Sequence, residues 1–340
     1  MGNTWLVTGG AGFIGSNFIY YILKKYNDIK IVNLDALTYA GNLGNLKDLD
    51  GDLRHIFVEG NICDFELVKG LFEKYNFDTV INFAAESHVD RSIVNPQIFL
   101  ETNILGTQTL LDVARFCWSI YPEDKYCNIY KEGVKFVQIS TDEVYGDLGD
   151  TGLFTEETPL SPNSPYSASK ASADFIVRSY FKTYNTPVNI TRCSNNYGSY
   201  QFPEKLIPLI IHNALQNKKV PIYGDGLQVR DWLYVEDHCT AIDSVIKKGI
   251  IGEVYNIGGN NEKTNIHIAR IILESLDKDE SLIEHVTDRL GHDRRYAIDN
   301  TKITTQLGFS PEFTFEEGIK KTIEWYLQNP AWTKEVSLHK

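Results

Sequence analysis

Residues 4–15 read TWLVTGGAGFIG, and this stretch decides the fold. The apolar, β-branched run at residues 4–8 predicts a strand, and the spacing of apolar residues from Phe13 onwards predicts a helix. Glycines at positions 10, 12 and 15 form the pattern GxGxxG between them. Glycine is needed there because the turn is tight, a pyrophosphate must approach the backbone, and the helix must pack closely on the sheet. The stretch therefore predicts a dinucleotide-binding strand–turn–helix unit.

Asp35 ends the second predicted strand, about 20 residues after the last glycine of this pattern. A carboxylate at that place holds the hydroxyls of an adenosine ribose and repels a 2′-phosphate. No arginine follows it in the segment LDALTYAGN, residues 34–42. The sequence therefore favours NAD over NADP as the cofactor.

Strand-like and helix-like segments alternate through the first half of the chain. The predicted strands are residues 4–8, 30–35, 55–60, 79–84 and 135–140, and the predicted helices between them include residues 13–25, 65–75 and 97–117. Two later strand-like runs, residues 188–192 and 253–258, are expected to join the same sheet. This alternation predicts an α/β fold with a doubly wound, Rossmann-type parallel sheet.

The pattern changes after residue 194, where glycine, proline and aromatic residues surround an apolar helix. We therefore predict a NAD-binding Rossmann domain at residues 1–194, to which residues 236–260 return. A second, smaller mixed α/β lobe for the substrate is predicted at residues 195–340. Its tail, from residue 332 to residue 340, is expected to be a weakly ordered end.

Composition and charge limit the class of protein. The chain has 33 Lys and Arg against 45 Asp and Glu, a formal net charge of −12, which disfavours a nucleic-acid platform. Its five cysteines form no CxxC pair, so neither a zinc site nor a disulfide framework is expected. The N-terminus runs into the first strand, and no long apolar segment indicates a membrane span. We expect a cytoplasmic globular protein with no metal, membrane or nucleic-acid partner.

A tyrosine and a lysine are spaced for acid–base chemistry in the motif Tyr166-x-x-x-Lys170. Ser164 is a candidate N-cap and Pro165 fits the first helical position, so a helix is expected to begin just before the tyrosine. The two side chains then share one helical face. We expect the ammonium group to lower the pKa of the phenol and make the phenolate a general base.

Two carboxylates, Asp142 and Glu143, follow Thr141 at the end of the fifth predicted strand, where doubly wound folds bind ligands. With these motifs the chain resembles the extended short-chain dehydrogenase/reductase superfamily and, within it, the family of dTDP-glucose 4,6-dehydratases. The resemblance spans nearly the whole chain and is carried by TGGAGFIGSNF (8–18), LDALTYAGN (34–42), FAAESHVDRSI (83–93), TNILGT (102–107), STDEVYGD (140–147), YSASKASAD (166–174), TRCSNNYG (191–198), FPEKLIP (202–208), RDWLYVEDH (230–238) and GHDRRYAID (291–299).

This resemblance implies a role for each catalytic candidate. Tyr166 would take the proton of the sugar C4 hydroxyl while a hydride passes from C4 to NAD, and Thr141 would hydrogen-bond the C4 oxygen. Glu143 would then abstract the C5 proton, and Asp142 would protonate the leaving C6 hydroxyl. The hydride would return to C6 and give a nucleotide-linked 4-keto-6-deoxy sugar. Lys170 would also hold the nicotinamide ribose.

The glycine pattern and the resemblance together imply the ligand contacts. Expected cofactor contacts are Gly9, Gly12, Phe13, Ile14, Gly15, Asp35, Leu37, Thr38, Asn61, Ile62, Ala84, Ala85, Thr102, Tyr166, Lys170 and Asn196. Expected substrate contacts are Ser87, Thr141, Asn195, Lys205, Leu206, Pro221, Tyr223, Arg230, Asn265, Arg289, His292 and Tyr296. Arg230 is the strongest candidate for the diphosphate, because a guanidinium group matches phosphate in a bidentate way.

The chain departs from the family pattern at two positions. Asn61 stands where an aspartate is usual, and its amide oxygen would still accept a hydrogen bond from an adenine amino group. Leu290 stands where a proline is usual, and the loss of that proline gives the loop that carries His292 more freedom in the unbound protein.

Two other functions remain open. A nucleotide-sugar 4-epimerase would use NAD, Tyr166 and Lys170 but leave Asp142 and Glu143 idle. A catalytically silent NAD-binding scaffold would have a broken catalytic set, whereas all five catalytic candidates are present here. A thymidine base is favoured, and uridine stays possible. The resemblance also implies a homodimer that forms through the helices at residues 97–118 and 166–184.

Overall fold

The computed structural model describes residues 3–338 of the chain. Its strands are β1 (Asn3–Thr8), β2 (Ile29–Asp35), β3 (His55–Glu59), β4 (Thr79–Asn82), β5 (Lys135–Thr141), β6 (Val188–Cys193), β7 (Asn195–Tyr197), β8 (Val220–Tyr223), β9 (Val229–Tyr234), β10 (Val254–Ile257), β11 (Glu262–Thr264) and β12 (Ile283–Val286). Its helices are α1 (Phe13–Lys25), α2 (Phe65–Tyr75), α3 (Val89–Val94), α4 (Pro96–Leu100), α5 (Thr107–Trp118), α6 (Pro165–Tyr184), α7 (Leu206–Leu215), α8 (Val235–Lys248), α9 (Asn265–Ser275), α10 (Thr301–Leu307), α11 (Phe315–Gln328) and α12 (Pro330–Leu338).

The central sheet has 7 strands in the order β3-β2-β1-β4-β5-β6-β10, and every neighbouring pair is parallel. Successive side chains of a strand point to opposite faces. Trp5 and Val7 of β1 therefore pack in the core layer that holds α1 and α8, while Leu6 packs in the layer of α2, α5 and α6. These two covered faces confirm the predicted doubly wound, Rossmann-type parallel sheet.

The smaller lobe is built on two short sheets. One has the order β11-β9-β7, with β7 parallel and β11 antiparallel to β9, and the other pairs β12 with β8 in parallel. Helices α7, α9, α11 and α12 bury their apolar faces in one core with these strands. The predicted return of residues 236–260 corresponds to α8 and β10, and α10 joins them on the large lobe through Ile303 and Leu307. The exact division of the chain into domains stays a prediction.

Three elements differ from the expectations. Strand β4 ends at Asn82, and the helix expected over residues 97–117 contains a π-helical turn at Glu101–Gly106 between α4 and α5. In that turn, the buried Asn103 amide donates to the Glu86 carbonyl oxygen at 3.0 Å and to Ser169 Oγ at 2.8 Å. These are distant contacts that local periodicity does not reveal.

The weakly ordered tail is the third difference. Residues 330–338 form α12, and Trp332 is buried because its ring packs against Trp325 and Tyr326, with ring centroids 5.0 and 6.1 Å away. The expectation is therefore wrong for residues 332–338, and residues 339 and 340 lie outside the described part. No helix within residues 3–338 is long and apolar enough to span a membrane.

Candidate active site

The loop between β1 and α1 forms a glycine cradle. Gly9 has a φ of +70°, and a Cβ on it would lie 2.6 Å from the Ala84 backbone nitrogen. A Cβ on Gly15 would lie 2.4 Å from the Gly9 carbonyl oxygen. Gly12, the N-cap of α1, offers no side chain to the first-turn amides. The loop thus keeps the backbone and the N-terminus of a 13-residue helix open to an anion, as a pyrophosphate requires.

Asp35 lies at the carboxyl end of β2, beside this cradle. Its carboxylate accepts hydrogen bonds from the backbone N–H groups of Ala11, at 2.9 Å, and of Leu37, at 2.8 Å. Burial raises the pKa of this carboxyl group, and the two amide hydrogen bonds oppose that shift. The carboxylate is thereby fixed at the edge of a cavity, where it has lone pairs left for ribose hydroxyls.

Two adjoining cavities, both lined by Gly9, Phe83 and Ala85, collect the expected cofactor contacts. The central cavity runs from the glycine cradle to the catalytic candidates and includes the following predicted residues: Gly9, Gly12, Phe13, Ile14, Gly15, Ala85, Tyr166, Lys170 and Asn196. The rim cavity is lined by Gly9, Asp35, Thr38, Asn61, Ile62, Ala84, Ala85 and Thr102. Leu37 lines neither cavity and contributes only its N–H to Asp35. This continuous, glycine-floored groove with a ribose-binding carboxylate fits NAD.

Helix α6 carries Tyr166 and Lys170 from a capped N-terminus. Ser164 Oγ accepts from the Ser167 N–H at 3.1 Å, and the Ser164 N–H donates to Ser167 Oγ at 3.0 Å, so the predicted N-cap is confirmed as a capping box. Pro165 occupies the first turn, as predicted. Lys170 is buried and donates through Nζ to the Ile139 carbonyl oxygen at 2.7 Å. The cap and this bond fix both side chains at the floor of the central cavity.

The pKa of the Tyr166 phenol is shifted in the direction opposite to the prediction. Burial raises it well above its ordinary value, the Glu143 carboxylate adds to the rise, and a hydrogen bond with Thr141 opposes it. Burial also lowers the pKa of the Lys170 ammonium group. The sequence places the two groups on one helical face but does not show that the site encloses them, and desolvation penalises both charged forms.

Asp142 and Glu143 occupy the turn that follows β5. Thr141 Oγ1 accepts from the Glu143 N–H at 3.3 Å and lies 3.3 Å from Asp142 Oδ1, to which it donates. Asp142 is 1 % exposed, and its Oδ2 has no hydrogen-bond partner among the described residues. Burial raises the pKa of Asp142 well above its ordinary value, with Glu143 as the next cause. Burial also raises the pKa of Glu143, but Arg289 and Arg230 oppose that shift. The two carboxyl groups therefore differ in their electrostatic surroundings.

A third cavity lies in the smaller lobe and meets the central cavity at Glu143, Asn195 and Lys205. Nine of the predicted substrate contacts line it, namely Asn195, Lys205, Leu206, Pro221, Tyr223, Arg230, Asn265, Arg289 and His292. Ser87 and Thr141 line the central cavity. Tyr296 lines neither, because it is buried beneath the Arg230 guanidinium group, which lies 4.3 Å from the centre of its ring. The structure thus assembles the predicted contacts apart from Tyr296, which supports Arg230 from behind.

Arg230 is 5 % exposed and is held by backbone oxygen atoms instead of by a carboxylate. Its guanidinium group donates to the carbonyl oxygens of Val229, at 2.8 Å, and of Asp293, at 2.9 Å. Within residues 3–338 no ion pair neutralises it. Lys205 likewise donates to a backbone oxygen, that of Ser87, at 3.0 Å. A buried guanidinium group without an ion pair, beside a half-buried lysine, suits an anionic ligand.

Sequence reasoning missed several residues of the site. Tyr39 lines the central cavity, and its hydroxyl group lies 3.1 Å from Ser87 Oγ while Arg91 stacks on its ring at 4.0 Å. Cys193, a buried residue of β6, also lines this cavity. Asn196 is fixed by the buried His238, whose Nδ1 lies 2.9 Å from Asn196 Oδ1. Tyr39, Cys193 and His238 each lie inside a motif that carries the family resemblance, and that position is the signal that could have indicated them.

Comparison with known proteins agrees with this geometry. The family model described as GDP-mannose 4,6 dehydratase matches residues 6–322. The chain is 54 % identical to the dTDP-glucose 4,6-dehydratase of Xanthomonas campestris pv. campestris strain B100, over 98 % of this chain and 95 % of that protein. It is similar to the crystal structure of dTDP-glucose 4,6-dehydratase from Bacillus anthracis in complex with NAD, with a TM-score of 0.88, 52 % identity and coverage of 98 % and 99 % of the two chains. The NAD-bound enzyme of the same name from Streptomyces venezuelae aligns with a TM-score of 0.91 and 46 % identity, again over 98 % and 99 %.

Proposed function

Because this chain belongs to the family of dTDP-glucose 4,6-dehydratases, we propose that it converts dTDP-glucose to dTDP-4-keto-6-deoxyglucose with loss of water. It is a hydro-lyase of the short-chain dehydrogenase/reductase type, and its cofactor is NAD. One observation carries the assignment of the site. Asp142 and Glu143 open into the same cavity as Tyr166 and Lys170, so a C5 base and a C6 acid stand beside the oxidation centre.

The glycine cradle and Asp35 hold the cofactor, and NAD, when bound, supplies the hydride acceptor for C4 and the hydride donor for C6. Tyr166 would take the proton of the C4 hydroxyl group as a phenolate, a form that the Lys170 ammonium group and the cationic nicotinamide of bound NAD would favour, and Thr141 would hold that oxygen. The position of Lys170 at the floor of the cavity is fixed by its hydrogen bond to the Ile139 carbonyl oxygen. Burial of these groups excludes water from the carbon that is oxidised.

The elimination step divides between the two carboxyl groups. The C4 ketone acidifies the C5 proton, which Glu143 removes as a carboxylate that Arg230 and Arg289 stabilise. Asp142 has a strongly raised pKa and one oxygen with no hydrogen-bond partner within the described residues 3–338, and it donates a proton to the departing C6 oxygen. Because their surroundings shift the two pKa values to different extents, Asp142 acts as the acid and Glu143 as the base.

The smaller lobe binds the nucleotide diphosphate. Arg230, Arg289 and Lys205 face the third cavity and neutralise the diphosphate in a chain whose net charge is −12. Leu206, Pro221 and Tyr223 line this cavity and provide the apolar wall that a pyrimidine base requires.

A comparison of two substrates tests this function. Incubation with dTDP-glucose and, separately, with UDP-glucose should give the 4-keto-6-deoxy product, identified by NMR, at a clearly higher kcat/KM for the thymidine nucleotide. A product with the galactose configuration at C4 would instead establish the epimerase. No product from either nucleotide, together with retained NAD, would favour the silent scaffold.

We further propose that the protein is a homodimer. An apolar face runs along α4, the π-helical turn and α5, with Ile98 36 %, Leu105 53 % and Phe116 48 % exposed, and Phe175 of α6 is 57 % exposed. Pairing of this face with its copy would form a four-helix interface. Light scattering at micromolar concentration should give the dimer mass, and Leu105→Glu should give the monomer. A monomeric wild type would contradict the proposal.

A cytoplasmic location also remains a proposal. It is supported by the five cysteines, all of which are free thiols, because disulfides are rare in a reducing compartment. Fractionation of cells that produce the protein tests it, since recovery outside the cytoplasm would contradict the proposal.

A further inference from the structure

A chain of buried hydrogen bonds joins the C-terminal helix to the glycine cradle. The indole Nε1–H of Trp332 in α12 donates to Asn45 Oδ1 at 2.7 Å. The Asn45 amide Nδ2 donates in turn to the Ala11 carbonyl oxygen at 2.8 Å. Ala11 lies between Gly10 and Gly12, and its N–H donates to Asp35 at 2.9 Å. The contacts therefore run from the smaller lobe to both parts of the proposed cofactor site.

The residues that form this series of hydrogen bonds are buried. Trp332 is 9 % exposed, Asn45 is 1 % exposed and Ala11 is fully buried. The side-chain oxygen of Asn45 accepts from the Trp332 indole, and its amide group donates to the Ala11 carbonyl oxygen. A substitution that removes either hydrogen bond therefore leaves a buried polar group of Asn45 without its partner. The backbone N–H of Asn42 donates to the same carbonyl oxygen at 3.0 Å, which makes Ala11 the anchor of the loop.

We propose that Trp332 is a positioning residue that pre-forms the glycine cradle through Asn45 and so sets how tightly the protein retains NAD. The inference rests on the proposed placement of NAD in the cradle. A loop that is held in its binding conformation before the cofactor arrives loses less conformational entropy on binding.

The variant Trp332→Phe tests the contact because it removes the N–H donor and keeps an aromatic ring. The matched control is Trp325→Phe in the same aromatic cluster, where the ring centroids are 5.0 Å apart. The Trp325 indole makes no hydrogen bond to any described residue. We expect NAD to dissociate about two- to tenfold faster from Trp332→Phe than from the wild type, the scale of one buried neutral hydrogen bond. Trp325→Phe should retain NAD like the wild type.

The kinetic constants that change distinguish a positioning role of Trp332 from general damage to the fold. With Trp332→Phe, the NAD concentration needed for half-maximal activity should rise by the same factor, while kcat at saturating NAD and the KM for dTDP-glucose stay within about twofold. Equal NAD dissociation from the two variants would overturn the proposal. The separate variant Asp35→Ala tests the cofactor site itself. If it loses NAD while Trp332→Phe does not, the coupling fails and the proposed site stands.

A measurement on the wild type covers the case in which Trp332→Phe does not fold. Coupling between two sites is reciprocal, so NAD must stabilise α12 as much as α12 stabilises bound NAD. Hydrogen–deuterium exchange of the peptide at residues 330–338 should be slower in the NAD-loaded protein than after removal of NAD. Identical exchange in the two forms would overturn the proposal.

Discussion

At the scale of single residues, the chemistry depends on a difference between two neighbours. Asp142 is almost fully buried, and one of its oxygens has no hydrogen-bond partner among residues 3–338, whereas Glu143 lines two cavities and faces Arg230 and Arg289. Burial raises the pKa of both carboxyl groups. At Asp142 the neighbouring carboxylates of Glu143 and Asp231 add to the rise before Arg230 opposes it, whereas at Glu143 the next two causes, Arg289 and Arg230, both oppose it. This asymmetry is the physical basis for assigning the acid to one and the base to the other.

Replacement of the base should stop the reaction after oxidation. Glu143→Gln keeps the side-chain volume and removes the proton acceptor, so product formation should fall by about two to four orders of magnitude. C4 oxidation should still occur and be visible as the absorbance of reduced nicotinamide on the enzyme. The exposed Glu274→Gln on α9 is the control and should behave like the wild type. A near wild-type rate of 4-keto-6-deoxy product from Glu143→Gln would refute its assigned role.

Removal of the buried acid should change how stability depends on pH. The folded pKa of Asp142 lies well above the ordinary value of 3.8, so between these two values the folded state binds more protons than the unfolded state. Its contribution to the free energy of unfolding therefore falls as pH rises through that window. Asp142→Asn should gain thermal stability relative to the wild type as pH increases from about 4 upwards.

Thermal unfolding across pH provides the measurement for that expectation. The control is Asp50→Asn, at an exposed position at the end of the turn Leu43–Leu49. A wild-type-to-variant difference that is flat with pH would contradict the buried, protonated state of Asp142.

At the scale of secondary-structure elements, the capped N-terminus of α6 determines where Tyr166 and Lys170 lie. Ser164→Ala removes the cap and should cost about 1 kcal/mol of folding stability. It should also lower kcat, because the first turn of this helix carries Tyr166, the proposed base for the C4 hydroxyl group. Ser179→Ala is the matched control on the exposed part of the same helix, where Oγ bonds only the Ile176 carbonyl oxygen at 2.8 Å. Equal melting temperatures and rates for the two variants would show that the cap has no such role.

The elements also show what a sequence can predict. The strands of the large sheet, the glycine cradle and the Ser164 cap follow from local signals, and each is present. Strand β7 was not predicted, because three residues form a strand only through parallel pairing with β9, about 35 positions further along the chain. Helix α12 depends in the same way on Tyr200 and Asn45, which contact Trp332 from distant parts of the chain.

The sequence predicted which residues form the candidate site better than it predicted the pKa shifts of those residues. Nearly every residue that the motifs indicate lines a cavity in the structure, as Arg230 does. The predicted direction of the Tyr166 pKa shift was wrong, because the pKa depends on burial and on the nearby Glu143 carboxylate, which no local pattern encodes. Tyr39 was missed for a related reason, since only folding brings it to Ser87.

At the scale of the whole molecule, the proposed reaction does not consume its cofactor. Because the hydride leaves C4 and returns to C6 in one turnover, the purified protein should carry NAD and should need no added nicotinamide for sustained turnover. Extraction and quantification of the bound dinucleotide provide the measurement. Release of one reduced nicotinamide per product, or a preference for NADP despite Asp35, would contradict this account.

Transfer of a label within the sugar tests the dehydratase function most directly. dTDP-glucose with deuterium at C4 should yield 4-keto-6-deoxyglucose with that deuterium at C6, and the same reaction of unlabelled substrate in deuterated water should place deuterium at C5. Both positions are read by NMR of the product. Deuterium that stays at C4, in a mixture of glucose and galactose configurations, would contradict the account and identify an epimerase.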